Sequence, residues 1–105
     1  MLNKHYVDIS NEVFDERKRQ DAKWGEQNHC SISPDGTFVV DDEATAKFQC
    51  ELAAKTGRLA WSDIACEELA ETLHAGSDTD RRAELVQLAA VIFAWVECID
   101  RNGRK

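Results

Sequence analysis

The sequence predicts an all-α protein built from four helices, and three observations carry that expectation. Five Gly and one Pro in 105 residues supply too little turn chemistry for a many-stranded sheet. Four segments open on a capping residue or early acids and stop at a glycine. In the third and fourth segments, apolar side chains gather on arcs when plotted at about 100° per residue. The length fits a single domain spanning residues 1–105, and 43% hydrophobic with 31% charged residues is an ordinary globular balance.

Taken in order, Ser10 is placed to cap a first helix over residues 11–24. Glu12, Asp15 and Glu16 oppose its dipole, and Gly25 stops it. Residues 25–40 form the one clear loop; Pro34-Asp35-Gly36 marks a turn and residues 37–40 read as a short extended piece. Asp41 or Asp42 caps a second helix that runs to about residue 56, with Gly57 as its stop. Ser62 opens a third helix over 63–75, ended by Gly76. Ser77 and Asp80 form an S-x-x-D capping box for a fourth helix over 78–101. Residues 85–96 of that helix read LVQLAAVIFAWV, with Gln87 as the only polar side chain. A helix apolar all round must be buried on most sides, and twelve residues fall well short of the roughly 20 that span a bilayer. Three other helices are too few to cover it, so the bundle is expected to be completed by homo-oligomerisation, as a homodimer or homotetramer. Ala90 is expected on the side given to that assembly.

Charge narrows the partners. Twenty acidic against thirteen basic residues give a net charge of −7 and a pI near 4.9, which repels phosphate backbones and speaks against nucleic acid as a partner. An acidic protein that handles nucleotides places a divalent cation between itself and the phosphates. The cysteines, Cys30, Cys50, Cys66 and Cys98, contain no CxxC pair, so neither a zinc ribbon nor a redox motif is expected. The segment MLNKHYVDIS lacks an apolar stretch of the secretory kind, and the expectation is a reduced, cytoplasmic protein with no membrane partner.

Chemistry concentrates on the last two helices. On the third, Trp61, Ile64, Ala65 and Leu69 define the apolar arc; Glu68 falls inside it, Glu71 at its edge, and Glu67 further out towards solvent. On the fourth, Glu84 lies between Val91 and Trp95 on the apolar face, and Gln87 just beyond its margin. A short Gly-Ser turn makes the two helices antiparallel neighbours, so Glu68, Glu71 and Glu84 should meet across one groove. Carboxylates crowded in a partly apolar place cost several kcal/mol unless their charge is cancelled. Mg²⁺, with Mn²⁺ as a substitute, cancels it while keeping waters for a phosphate ligand.

Glu67-Glu68-x-x-Glu71, twelve intervening residues and Glu84-x-x-Gln87 resemble the EExxE…ExxD metal signature of the MazG-like all-α nucleotide pyrophosphohydrolases. The segment 16–27, with Lys23-Trp24-Gly25-Glu26-Gln27, and the segment 82–91 are similar to small phage and actinobacterial members. The likeness spans residues 14–101. It implies an oligomeric helical bundle, a hydrolase that uses Mg²⁺ to convert a (deoxy)nucleoside triphosphate to monophosphate and pyrophosphate. Gln87 stands where that family usually has an acid. On this reading Glu68, Glu71, Glu84 and Gln87 hold the metal, while Glu67 serves as base or second-metal ligand. Trp24, at the end of the first helix beside Gln20 and Gln27, is suited to stack on a base; Lys23 and Arg81 are the phosphate contacts. The rival is a catalytically weak or inactive helical homo-oligomer that binds nucleotide or a protein partner.

Overall fold

Local signals set most of the helix ends. The computed structural model describes residues 3–103, among which run α1 (His5–Trp24), α2 (Glu43–Lys55), α3 (Trp61–Leu73) and α4 (Asp78–Asn102). Gly25, with φ of +68°, ends α1 and returns its N–H to the carbonyl of Asp21. Asp42 caps α2 by accepting from the N–H of Ala44 and the hydroxyl of Thr45. Ser77 caps α4, its hydroxyl accepting from the N–H of Asp80 at 3.1 Å. These satisfy donors that a helix end otherwise leaves unpaired.

Two beginnings differ from expectation. Helix α1 starts at His5, not near Asn11, and Ser10 lies inside it. The carboxamide of Asn3 accepts from the N–H of His5 at 2.8 Å, so Asn3 does the work assigned to Ser10. Helix α3 starts at Trp61, with Ala60 as cap residue. The Asp63 carboxylate accepts from the N–H of Ala60, while the Ser62 hydroxyl accepts from the N–H of Ser33 at 2.8 Å. Ser62 therefore ties down the incoming loop. Residues 37–40 form no strand; the only β-type pairing among the described residues is an isolated parallel bridge between Cys30 and Ala60.

The helices pack in the order α1, α4, α3, α2. Helix α4 lies against both α1 and α3, α3 lies against α2, and among the described residues α1 touches neither α2 nor α3. This is an open row of four helices. Its core sits between α3 and α4, where Trp61, 2% exposed, packs with Val91, Ala94 and Cys98, flanked by Ile64 and Trp95. The start of α3 thus meets the second half of α4, and the two helices run antiparallel. Residues 28–33 close over that end. The carbonyls of Cys30 and Ser31 accept from the N–H groups of Trp61 and Ser62, and the Ser31 hydroxyl accepts from the Trp95 indole at 3.1 Å.

Helix α1 buries no residue. Ion pairs hold it to α4: Arg17 with Glu97 at 2.6 Å and Glu12 with Arg82 at 2.7 Å. The all-apolar stretch of α4 is divided between two environments. Ala90, Val91, Ala94 and Cys98 are buried within the chain, while Leu85, Ile92, Phe93 and Val96 are exposed. Ala90, at 0% exposure, belongs to the inner side, because α1 and α3 approach α4 from flanking directions and both cover that arc. No helix among the described residues is long and apolar enough to cross a membrane. All four cysteines are free thiols.

Candidate metal centre

The α3–α4 groove changes character along its length. Towards the end of α3 and the start of α4 the apolar packing gives way to Glu68, Glu71 and Glu84. One carboxylate oxygen from each lies within 4.8 Å of the others. The spacing explains the convergence: Glu68 and Glu71 stand three apart on α3, about one turn on the same side, and Glu84 enters from the second turn of α4. The Gly76-Ser77 turn between them holds the register. Arg81 fastens this turn, donating to the carbonyls of Thr72 and Ala75 and to the Asp78 carboxylate.

Electrostatics at the cluster are unfavourable without a counter-charge. Oε2 of Glu68 and Oε2 of Glu84 are buried without a hydrogen-bond partner. Burial pushes the Glu68 carboxyl up to about 8, reinforced by the charges of Glu71, Glu84 and Glu67. Glu71 rises to about 7, from burial and then from Glu84 and Glu67. Orphaned acceptors and raised carboxyl groups are what remain when like charges share a site and lose their water. An all-oxygen donor set of three carboxylates suits a hard divalent cation, and the two unpartnered oxygens are acceptors that such an ion would satisfy.

The other predicted residues lie outside this cluster, and Gln27 lies at the far end of the groove, where its carbonyl accepts from Arg101 at 2.8 Å. Glu67 is half-buried rather than turned to solvent, because α2 packs on its side of α3, with Cys50 close enough to feel its charge. Burial and then that charge push the Cys50 thiol up. Gln87 is half-buried and lines the groove between α1 and α4 with Glu12, Glu16 and Arg19, and its backbone carbonyl accepts from the Gln20 carboxamide at 3.4 Å. Gln20 is the link from α1 to the stretch of α4 beside Glu84. Trp24 is 59% exposed at the end of α1, with the Lys23 ammonium 4.7 Å from its ring centre. Gln27 lies beyond the helix, its carboxamide 3.4 Å from the His29 ring. Arg81, expected as a phosphate contact, spends its guanidinium on the carbonyls at the end of α3.

Sequence reasoning passed over two neighbours of the cluster. Glu43, first residue of α2, adds its charge to the field at Glu71, and Cys50 stands behind Glu67. Neither carries a spacing signal towards the EExxE segment, since both arrive through the packing of α2 on α3. In comparisons with known proteins, no family model, no curated protein and no solved structure matches this chain.

Proposed function

We propose that the protein is a Mg²⁺-dependent nucleotide pyrophosphohydrolase, cutting a (deoxy)nucleoside triphosphate to the monophosphate and pyrophosphate. The single observation that carries this reading is the convergence of Glu68, Glu71 and Glu84 with two buried, unpartnered oxygens among them. The resemblance of Glu67-Glu68-x-x-Glu71 and Glu84-x-x-Gln87 to the MazG-like signature supports it. Glu68, Glu71 and Glu84 would hold the cation, and Gln87 would add an amide oxygen or a water contact. Bound there, the cation would polarise the α–β phosphoanhydride and acidify a water.

The remaining roles belong to the chain's own groups. Glu67 raises both neighbouring carboxyl groups through its charge, and as base it would take the proton of the attacking water. Gln20 ties α1 to the backbone of α4 at Gln87, and the exposed Trp24 face with Lys23 beside it would offer a stacking surface and a cation for the nucleotide. The net charge of −7 makes the cation the natural bridge to a triphosphate. A homo-oligomer in a reducing cytoplasm completes the reading.

The test is pyrophosphate release from a panel of nucleoside and deoxynucleoside triphosphates with Mg²⁺. Release for at least one of them, abolished in Glu68→Gln and only reduced in Glu67→Gln, is the expected result. No release from any at high protein concentration would leave a nucleotide-binding or protein-binding oligomer as the better account.

A further inference from the structure

A polar cavity lies on the α2 side of α3, away from the acidic groove. It is bounded by the 33–37 loop, the second half of α2 and the start of α3, and its volume is about 130 Å³. Ser33, Asp35, Thr37, Gln49, Arg58 and Asp63 line it. At about 100° per residue, Asp63 stands about 140° round α3 from Glu68. The cavity and the acidic cluster therefore face different neighbours, α2 and α4.

The fold sets the walls of this cavity in advance of any ligand. The Ser62 hydroxyl accepts from the N–H of Ser33 at 2.8 Å, and the Ser33 carbonyl accepts from the N–H of Gly36 at 2.9 Å, which holds the loop as a tight turn. Asp63 is only 8% exposed. Its Oδ2 accepts from the N–H of Ala60 at 2.9 Å, which orients the carboxylate, while Oδ1 takes no hydrogen bond among the described residues. The Gln49 carboxamide and the Thr37 hydroxyl, both on half-buried residues, also have no hydrogen-bond partner among the described residues. Polar groups that converge from three elements on one cavity and leave each other unpaired mark a place for a ligand.

We infer that this cavity binds a small organic cation with several N–H donors, of the guanidinium or alkylammonium kind. Charge selects the sign. Arg58 pairs with Asp35 at 3.3 Å, which leaves Asp63 as the uncompensated charge of the lining, and the net charge of −7 draws cations to the surface. Donor geometry selects the class. Asp63 on α3, Gln49 on α2 and Thr37 in the loop offer oxygens from three sides, which suits a cation whose N–H groups point outward in several directions. A single uncompensated carboxylate is a poor holder of a divalent metal ion, for which the acidic groove is better made. Size limits the ligand further: a cavity of about 150 Å³ holds benzene, so about six non-hydrogen atoms is the ceiling here.

Nuclear magnetic resonance titration of the full chain with millimolar guanidinium, far below denaturing levels, tests the proposal. No nucleotide is needed, so the outcome is independent of the hydrolase reading. Saturable shifts are expected at the backbone amides of Ser33 and Thr37 and at the Gln49 side chain. A parallel titration with methylammonium separates the two kinds of cation, and saturation by either supports the site. Urea, which has the shape of guanidinium without its charge, should bind at least about tenfold more weakly. Asp63→Asn keeps an oxygen for the Ala60 N–H and should weaken cation binding at least about tenfold. Gln49→Leu leaves that cap untouched, decides the matter if Asp63→Asn does not fold, and should weaken binding about threefold or more. Excess Mg²⁺ should not displace the cation. No saturable shift with either cation, urea binding as tightly as guanidinium, displacement by Mg²⁺, or unchanged affinity in the folded variants would each overturn the proposal.

Discussion

The two ends of the α3–α4 groove are made by the same pair of helices and solve opposite problems. At one end Trp61, Val91, Ala94 and Cys98 exclude water and gain from doing so. At the other, Glu68, Glu71 and Glu84 are brought within 4.8 Å and lose hydration, with no ion pair to any of the three among the described residues. Arg81 is turned to carbonyls at the end of α3, and Arg82, two residues before Glu84, pairs with Glu12 of α1. The contrast teaches that the first end stabilises the second. Packing around Trp61 holds α3 and α4 in register against a repulsion that would otherwise part them, and that stored repulsion is available to a ligand of opposite charge.

Mutation should separate the two ends by sign. The largest effect on stability belongs to Trp61→Ala, which empties a position that is 2% exposed; a loss of about 3–5 kcal/mol is expected in denaturant unfolding. Glu68→Gln should act in the other direction, leaving the metal-free chain equal to the wild type or more stable, because one crowded charge is removed. A Glu68→Gln variant that unfolds as readily as Trp61→Ala would erase the distinction.

The pH dependence sharpens the same contrast. Glu68 and Glu71 are raised in the folded chain, to about 8 and about 7, above their values when unfolded. Between pH 5 and pH 8, on the scale set by ordinary carboxylates of about 4.3, these two carboxyl groups hold more protons in the folded than in the unfolded state and outweigh the opposite contribution of His29, which burial lowers. Stability of the metal-free chain therefore falls as pH rises through that window. Thermal melts should show a higher midpoint near the bottom of the window than near its top, and Glu68→Gln should flatten the slope. A melting midpoint that climbs across the window would contradict the crowding.

How far these ends were legible in the sequence differs too. The acidic end was, because Glu68 inside an apolar arc and Glu84 on the facing helix are local signals, and a short turn leaves antiparallel pairing as the outcome. The start of α1 was not: Ser10 is a good cap by type, but Asn3 reaches the chain first and the inner face continues through Tyr6 and Ile9. The facing of Glu67 was missed because a wheel for α3 alone cannot show that α2 covers that side. Likewise the twelve apolar-rich residues of α4 announced contact on most sides without saying which. The fold assigns Ala90 to the interior and leaves Leu85, Ile92, Phe93 and Val96 outside. For Glu67 and for the faces of α4 the missing information lay in a neighbouring element distant along the chain, whereas for α1 it lay in Asn3, just ahead of the helix.

Gln87 offers the smallest and finest test. It adjoins the acidic end without adding charge, so Gln87→Asp should tighten Mg²⁺ binding in the absence of nucleotide by about tenfold, roughly 1.4 kcal/mol. Equal affinity would show that Gln87 serves the α1–α4 groove alone.

The central claim is that Glu68, Glu71 and Glu84 form a cation site built against their own repulsion. Titration of the wild-type chain and of Glu68→Gln with Mn²⁺, followed by the loss of the free-ion resonance signal, tests it most directly. The account predicts one saturable site per chain in the wild type, tightening as pH rises through the range in which Glu71 and Glu68 ionise, and no such site in Glu68→Gln. Equal binding by the two chains, or binding that does not strengthen with pH, would contradict it.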